Sequence, residues 1–431
     1  MTESTIAHVR GRRVWDSRGR PTVEVEVALH GGMSGRAIAP AGASTGSGEA
    51  LDLRDGGAAF GGLDVSNALS KVNGEIASAL EGADARDQAA IDARLVALDG
   101  TPNRSRLGGN AIVATSMAVL HAAAAASTQP LWRYLAGERA VRLPLPEIQI
   151  FGGGAHAARR VDVQDFMIMC PAARSFTEAL EWTAEVYRAA GSLMKQAGKL
   201  QGVADEGGYW PAFDCNEDAL DTLVRAIADT GLQAGKQVGI SLDIAASEFG
   251  RNGTYTLALD GRTLDTAQMI DMLGRWLDTY PILSIEDPLA EDDVEGFRLF
   301  TKAYGSRCQI IGDDFLVTNA DRVRTAATDG ALNAVLIKPN QAGTVTEAYE
   351  ALQAGKTAGF GTIVSARSGE TEDVTIAHLA VGWDAGQLKV GSFSRSERMA
   401  KWNEVLRIEE ALGRQAQFSG WSALPFIHRA M

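Results

Sequence analysis

Apolar and polar residues alternate near the start of the chain in the pattern of a half-buried strand. Thr22 to Leu29 reads TVEVEVAL, and His30-Gly31-Gly32 then provides a turn into a return strand over residues 34–39. Helical periodicity follows, over roughly residues 65–80, 86–98 and 110–126. Strands followed by helices predict a small α+β domain.

The pattern changes after Leu143-Pro144-Leu145-Pro146, which predicts a domain boundary. We therefore assign residues 1–140 to a capping α+β domain and residues 141–431 to a larger domain. In the larger domain short apolar runs alternate with helical stretches, at residues 165–169, 200–205, 238–244, 282–287, 309–314, 333–338, 362–368 and 387–392. Continuous apolar strands separated by helices indicate a parallel sheet, and about eight such units favour a closed (β/α)₈ barrel.

Composition and charge narrow the class of protein. The chain has 431 residues and a net charge of −13, which argues against nucleic acid or an anionic membrane as partner but permits a small anionic substrate in a basic pocket. Three cysteines without CxxC spacing predict neither disulfides nor a zinc site. The apolar residues 111–126 are expected to form a buried helix rather than a membrane span. The first residues lack the apolar core of a signal peptide, so we expect a cytoplasmic protein.

Polar residues lie at or near one end of almost every apolar run, where a barrel would gather them at one mouth. They are Asp165, Glu206, Asp243, Glu286, Asp313, Lys338, Arg367 and Lys389. Asp165 differs in that it opens its run. A single such acid is more often a solvated residue or an ion-pair partner, but three from successive units, without His or Cys, suit Mg²⁺.

The cationic residues predict proton abstraction next to a carboxylate. A lysine at the end of an apolar strand is poorly solvated, and nearby cations would depress its pKa, which makes it a usable base. A lysine base with one or two Mg²⁺ ions is a known solution for stabilising an enolate. Arg367-Ser368 offers a guanidinium and a hydroxyl suited to phosphate.

Long ordered motifs carry a resemblance to a known family. They are WDSRGRPTVEVEV, PAGASTG, ADEGG, SLDIAASEF, YPILSIEDPLAEDD, IIGDDFLVTN, LIKPNQAGT, ARSGETED, GQLKVGSFSRSER and LRIEEAL, which extend from the N-terminus to about residue 413. The chain closely resembles enolases. The resemblance implies a modified (β/α)₈ barrel behind an α+β domain, two Mg²⁺ ions per active site, a small phospho- or phosphono-carboxylate substrate, and a homodimer or higher homo-oligomer.

The resemblance also implies roles for individual residues. Lys338 is expected to abstract the C2 proton and Glu206 to assist loss of the 3-hydroxyl, with Asp165 and His156 at the same catalytic site. The expected metal ligands are Asp243, Glu286 and Asp313, joined by Ser44 for the second ion. The expected substrate contacts are Gln164, Arg367, Ser368 and Lys389, with Arg159 and Arg160 on a closing loop.

Several positions depart from the family pattern. SHRSGE of the family reads SARSGE, so Ala366 replaces a histidine, and QEF reads QDF, so Asp165 replaces a glutamate. NGGxH reads GGGAH and continues into Arg159-Arg160, EGGYAP becomes EGGYWP at Trp210, and PSGAST becomes PAGAST at Ala41. These changes surround the leaving hydroxyl and the substrate lids, which favours a substrate with additional bulk or charge.

The substituted positions favour one possible function over the others. We expect a specialised paralogue, similar to the carboxyphosphonoenolpyruvate synthases, that converts 2-phosphonoformylglycerate to carboxyphosphonoenolpyruvate in a phosphinothricin-type phosphonate pathway. The alternative is a glycolytic enolase that converts 2-phosphoglycerate to phosphoenolpyruvate. Racemisation or cycloisomerisation is disfavoured by the phosphate clamp. A non-catalytic protein on the same scaffold is disfavoured because the base, the acid and the metal ligands are all present.

Overall fold

The first part of the chain is an antiparallel sheet covered by helices. The computed structural model describes residues 2–43 and 45–426. Strands β1 (Ile6–Trp15), β2 (Pro21–Leu29) and β3 (Ser34–Ile38) are paired in that order. Strands β2 and β3 form the hairpin that the alternation of apolar and polar residues predicted. Strand β1 was not predicted, because its sequence IAHVRGRRVW carries three arginines and a glycine that obscure the alternation.

Helices accompany this sheet, and the longest of them packs directly on β2 and β3. They are α1 (Ser66–Lys71), α2 (Ala77–Leu80), α3 (Gln88–Asp99), α4 (Gly109–Ala126) and α5 (Leu131–Ala136), with a π-helical turn at Val72–Ile76 between the first two. Helix α4 is long and apolar enough to cross a membrane, but 83% of it is buried inside the protein. It packs so closely on β3 that a Cβ atom at Gly35 would lie 2.1 Å from the Ala122 nitrogen. The prediction of a buried helix here is confirmed.

The second part of the chain closes an eight-stranded barrel. Its strands in chain order are β4 (Leu145–Gly152), β5 (Asp165–Met169), β6 (Gly239–Asp243), β10 (Ile282–Glu286), β11 (Gln309–Gly312), β12 (Ala334–Ile337), β13 (Gly361–Ser365) and β14 (Gly386–Ser392). Strand β4 pairs with β14 and thereby closes the ring. Strand β5 is antiparallel to both of its neighbours. The predicted barrel is thus confirmed, with one strand reversed.

One of the eight predicted strands was wrong. Residues 200–205 lie in the loop that follows the helix Phe176–Gln196, and of these six residues only Val203 makes an isolated bridge. The remaining barrel strand is β4, whose first residues coincide with the predicted domain boundary. The prolines at 144 and 146 were interpreted as part of a domain boundary. Pro146 lies inside the strand, although a proline cannot donate a hydrogen bond to the ladder.

Helices surround the barrel, and a small antiparallel sheet is inserted after β6. The helices are α6 (Phe176–Gln196), α7 (Asn216–Asp229), α8 (Thr266–Thr279), α9 (Val294–Tyr304), α10 (Ala320–Asp329), α11 (Pro339–Ala342), α12 (Val345–Thr357), α13 (Thr375–Gly382) and α14 (Ser396–Leu412). The inserted sheet contains β7 (Gly250–Arg251), β8 (Thr254–Leu257) and β9 (Arg262–Asp265).

The two parts are joined by specific polar contacts near the barrel mouth. Ala41 and Gly369 exchange backbone hydrogen bonds of 2.9 and 2.8 Å. Buried Asp92 on α3 accepts hydrogen bonds from the Thr346 backbone and hydroxyl on α12, at 2.9 and 2.6 Å. The loop before α1 is therefore held against the mouth of the barrel. The division into domains at residue 140 remains a proposal.

Candidate active site

The reversed strand explains why Asp165 opens its run while its partners end theirs. Asp243 and Glu286 are the last residues of β6 and β10, and Asp165 is the first residue of the antiparallel β5. In the ladder Asp165 is paired with Asp243. The carboxyl ends of the parallel strands and the amino end of β5 therefore share one mouth.

A single cavity at this mouth gathers most of the predicted site. It is lined by Ala43, His156, Gln164, Asp165, Glu206, Asp243, Lys338, Ser365, Ala366, Arg367, Ser368, Lys389, Val390 and Gly391. Glu286 and Asp313 are buried beside it and reach its lysines directly. Residues separated by more than 200 positions in sequence are therefore brought together.

Lys389 lies between three carboxylates. Its Nζ is 2.8 Å from Asp243 Oδ2, 2.7 Å from Glu286 Oε2 and 3.6 Å from Asp165 Oδ2. Burial favours the neutral amine, but Asp243 and Glu286 outweigh it and raise the pKa of Lys389 well above its ordinary value. Burial, reinforced by Asp243, in turn raises the pKa of Glu286 well above its ordinary value. The cavity wall is thus a dense acid cluster that strongly attracts cations.

Lys338 follows β12 and donates a short hydrogen bond to Asp313 Oδ2. The other oxygen of Asp313 accepts a hydrogen bond from Gln341 Nε2 at 2.8 Å. Burial lowers the pKa of Lys338, yet the charge of Asp313 outweighs burial, so the pKa lies above its ordinary value. The expected depression of this pKa was therefore wrong for this arrangement, because the carboxylate contact is closer than the cations Arg367 and Lys389.

A second buried group consists of His156, Asp165 and Glu206. His156 Nδ1 is 3.1 Å from Asp165 Oδ1, and its Nε2 is 3.6 Å from Glu206 Oε1. Burial would lower the pKa of His156, but Glu206 and Asp165 raise it from 6.5 to about 9. Burial opposes ionisation of Asp165, but His156 lowers its pKa to about 2. The imidazolium therefore links the two acids, whose ligand atoms and its own all lie within 4.8 Å of one another.

Gln149 was not predicted as a site residue, and it holds Asp165 of this group through a hydrogen bond. It lies inside β4 with no exposed surface, donates from Nε2 to Asp165 Oδ1, and accepts the Gly208 backbone hydrogen at 2.8 Å. It thus links the acid of β5 to the loop that carries Glu206. The start of its strand had been interpreted as a domain boundary, so no sequence signal pointed to Gln149.

The predicted phosphate clamp is held by residues from both domains. Arg367 NH1 donates to Glu49 Oε2 at 2.9 Å, and Arg18 NH1 donates to Ser368 Oγ at 3.4 Å. Arg398 on α14 is fully buried and donates to the backbone carbonyls of Arg367, at 2.6 Å, and of Ser368. Glu49, Arg18 and Arg398 were not predicted as site residues. All three residues lie in or next to motifs that resemble those of enolases, but nothing in the local pattern indicated these contacts.

The loop arginines lie outside the cavity lining. Arg159 forms a 2.7 Å ion pair with Glu248 and keeps 67% of its side chain exposed, and Arg160 is 3.9 Å from Asp214. Each is paired with a nearby acid instead, so their contact with substrate stays a prediction. Gln164 does reach the site, where Nε2 donates to Asp243 Oδ2 at 3.1 Å. Ser44 lies outside the described residues.

The donor set fits a divalent cation. Asp243, Glu286 and Asp313 offer buried carboxylate oxygens, and Glu286 Oε1 is buried without a hydrogen-bond partner. Among the described residues, two other sets bring three possible metal-ligand atoms within 4.8 Å of one another. They are His156-Asp165-Glu206 and Asp287-Asp313-Asp314. Lys389 Nζ contacts both Asp243 and Glu286, and Lys338 Nζ contacts Asp313. Asp287 accepts the backbone hydrogens of Asp313 and Asp314 at 2.9 and 2.8 Å, so it positions a predicted ligand.

Comparison with known proteins covers nearly the whole chain. Residues 6–135 match the family described as "Enolase, N-terminal domain", and residues 140–425 match "Enolase, C-terminal TIM barrel domain". The chain is 51% identical over 416 residues to the protein named "Enolase 1" of Desulfitobacterium hafniense (strain Y51), covering 96% of this chain and 95% of that relative.

The chain belongs to the enolase family. It is an enzyme of the carbon–oxygen lyase class, as its family is, and the closed barrel with its small antiparallel domain is the enolase fold. The enolase family depends on Mg²⁺ in general, in agreement with the acid cluster. The relative favours the alternative function, a glycolytic enolase, over the phosphonate paralogue that we expected, for which the comparisons give no support.

Some of the residues that depart from the enolase pattern line the cavity, and others do not. Ala366 lines the cavity and is 7% exposed, with its nitrogen 2.9 Å from the Lys389 carbonyl oxygen. Asp165 is at the centre of the site. Trp210 does not line the cavity, since its loop folds back so that its nitrogen donates to the Gly202 carbonyl at 3.0 Å. Only the first two therefore change the cavity itself.

The His156 group makes the stability of this enolase depend on pH. Because its folded pKa, about 9, lies above the ordinary 6.5, the stabilisation is fully present below pH 6.5 and is lost as the pH rises through 9. The loss is at most about 3.5 kcal/mol, from about 1.4 kcal/mol per unit of pKa. We expect the melting temperature of the wild type to fall more steeply than that of His156→Gln between these pH values. Replacing the exposed His30 with glutamine should leave the wild-type slope, and equal slopes in all three proteins would contradict the proposed ion group.

Proposed function

We propose that this enolase dehydrates 2-phosphoglycerate to phosphoenolpyruvate. The observation that carries the proposal is the meeting of two lysines, three buried acids and an arginine–serine pair at one cavity. This set can hold the three parts of a small phospho-acid at once: its carboxylate, its phosphate and the hydrogen on C2. The 51% identity to the relative named Enolase 1 supports the choice of substrate.

The protein residues would carry the two proton transfers. Lys338 Nζ takes the hydrogen from C2 as a proton, and the electron pair of the broken C–H bond moves into the substrate carboxylate. Lys389, whose ammonium faces the same cavity, stabilises the resulting negative charge. The electron pair then forms the C2–C3 double bond while the 3-hydroxyl leaves. Glu206 gives that hydroxyl a proton, so the leaving group is water.

Asp165 and His156 would hold the acid in place. His156 lies between Asp165 and Glu206, so it orients the carboxyl group that protonates the leaving hydroxyl. Gln164 and Ser368 line the cavity on the substrate side, and Arg367 with Ser368 would bind the phosphate. Arg159 and Arg160 would act only after their loop moved, since both now face surface acids.

Asp243, Glu286 and Asp313 would hold one Mg²⁺ ion, and Ser44 would bind a second. When bound, the ions would draw charge from Asp313, lower the pKa of Lys338 and stabilise the negative charge on the substrate carboxylate. We also propose a cytoplasmic homodimer or higher homo-oligomer.

A second candidate substrate is the phosphonate analogue 2-phosphonoformylglycerate. The specific observation in its favour is Ala366, which presents only a methyl group to the cavity where enolases carry a histidine. The smaller side chain provides room and removes a hydrogen-bond donor. The shorter acid Asp165 enlarges the same region.

A side-by-side assay of the two substrates distinguishes the candidates. We expect 2-phosphoglycerate to turn over with the higher kcat/KM, by about tenfold or more, since one extra group in a fitted pocket costs 1–3 kcal/mol. Ala366→His should keep or raise turnover of 2-phosphoglycerate, because it restores a donor near the substrate. A preference for the phosphonate that Ala366→His abolishes would overturn the proposal in favour of the second candidate.

A further inference from the structure

A carboxylate of the protein already occupies the cationic clamp. Glu49 belongs to the loop that follows the small domain's sheet, and it approaches Arg367 with both oxygens. NH1 lies 2.9 Å from Oε2, and NH2 lies 3.4 Å from Oε1. Both side chains are almost fully buried, at 4% and 7% exposure. This two-point geometry is how arginine binds carboxylate and phosphate groups.

The other contacts of Glu49 also resemble those of a bound anion. Oε1 accepts the Gly46 backbone hydrogen at 2.9 Å and a hydrogen from Gln341 Nε2 at 3.2 Å. Gln341 in turn contacts Asp313, the partner of Lys338. The clamp is thus satisfied by an internal group that is connected to the catalytic lysine through two side chains.

We propose that Glu49 is a specificity-determining residue, which competes with the incoming phospho group for Arg367. The inference rests on the proposed function, in which Arg367 binds the phosphate. A singly charged carboxylate from solvent would only replace one carboxylate with another at this arginine. A phosphate dianion brings twice the charge and more acceptor oxygens, so it can displace Glu49.

A second cavity provides space for the displaced carboxylate. It measures about 340 Å³ and is bordered by both Glu49 and Arg367, so the two cavities share the arginine as a wall. Arg18, Arg20 and Arg54 line it as well, and Asp52 is its other acid. Glu49 can therefore leave Arg367 and remain among positive charges, which limits the free-energy cost of the exchange.

Phosphate binding to Glu49 variants tests the proposal. Inorganic phosphate is titrated into the Mg²⁺-loaded enzyme and followed by ³¹P NMR, for the wild type, Glu49→Gln and Glu49→Leu. We expect both variants to bind phosphate more tightly by about tenfold, since a like charge next to the anion is removed. Equal or weaker binding in both variants would overturn the proposal and make Glu49 a support for the clamp. Melting curves establish that each variant is folded.

Asp52→Asn is the matched control. Asp52 lines the same second cavity and carries the same charge, but its side chain pairs with Arg54. We expect Asp52→Asn to change phosphate affinity less than threefold. A tenfold change would mean that the loss of any nearby negative charge strengthens phosphate binding, and it would overturn the role of Glu49. Arg367→Met separates the two proposals. If it leaves phosphate binding intact, the phosphate clamp of the proposed function fails, whereas the Glu49 variants test the competition alone.

Discussion

Replacing Lys338 with methionine is expected to reduce turnover of 2-phosphoglycerate by about 10³-fold, the usual contribution of a positioned general base. Methionine keeps most of the side-chain volume and removes the amine. Because the proton leaves C2 before the hydroxyl does, exchange of the C2 hydrogen with deuterated solvent should be lost as well. The measurement is the incorporation of deuterium into recovered 2-phosphoglycerate, by NMR.

Lys302→Met provides the control for this experiment. It removes the same charge from the exposed face of α9 and should leave both exchange and turnover at wild-type rates. The Lys338 variant also leaves Asp313 without its short hydrogen bond in a buried position, so its melting temperature must be followed. Persistent exchange in a folded Lys338→Met protein would assign the base to another group.

The position of the site residues could be predicted from the sequence because of how barrels are built. Asp243, Glu286, Asp313 and Lys338 each end or directly follow an apolar run, and parallel strands bring those ends to one mouth. Asp165 was also placed correctly at the end of a run. Its reversed position had no explanation until β5 proved to be antiparallel.

Strand β4 and the residues that it carries could not be predicted in this way. Its first residues include a proline, and the following IQIFG is short and not flanked by a clear helix. Gln149 was missed with it. Runs of apolar residues identify strands only when turn signals bound them, and residues 200–205 had such signals without forming a strand.

Contacts between the two domains could not be predicted from the sequence either. Glu49 and Arg367 are separated by 318 positions, and their ion pair depends on how the small domain packs on the barrel. The sign of the Lys338 pKa shift is a similar case. The sequence indicated burial and nearby cations, which lower the pKa, but the distance to Asp313 decides the balance.

The acid cluster leads to the second large expected effect, that of Glu286→Gln. Glu286 is fully buried, one of its oxygens contacts Lys389 and the other has no hydrogen-bond partner. An amide there keeps the shape but removes a charge that divalent cations require. We expect turnover to fall by about 10³-fold or more, comparable to the loss of a group that stabilises developing charge. Treating the wild-type enzyme with a chelator should give a similar loss that added Mg²⁺ reverses.

Binding of Mg²⁺ provides a measurement that does not depend on activity. A ligand that binds only the folded protein raises its stability, so Mg²⁺ should raise the melting temperature of the wild type and of Glu295→Gln. Glu295 loses the same charge nine positions later, but its side chain is 67% exposed and pairs with Arg298. The Glu286 variant should show no such rise. A normal rise together with lost turnover would mean that Glu286 acts on the substrate or on Lys389 rather than on the ion.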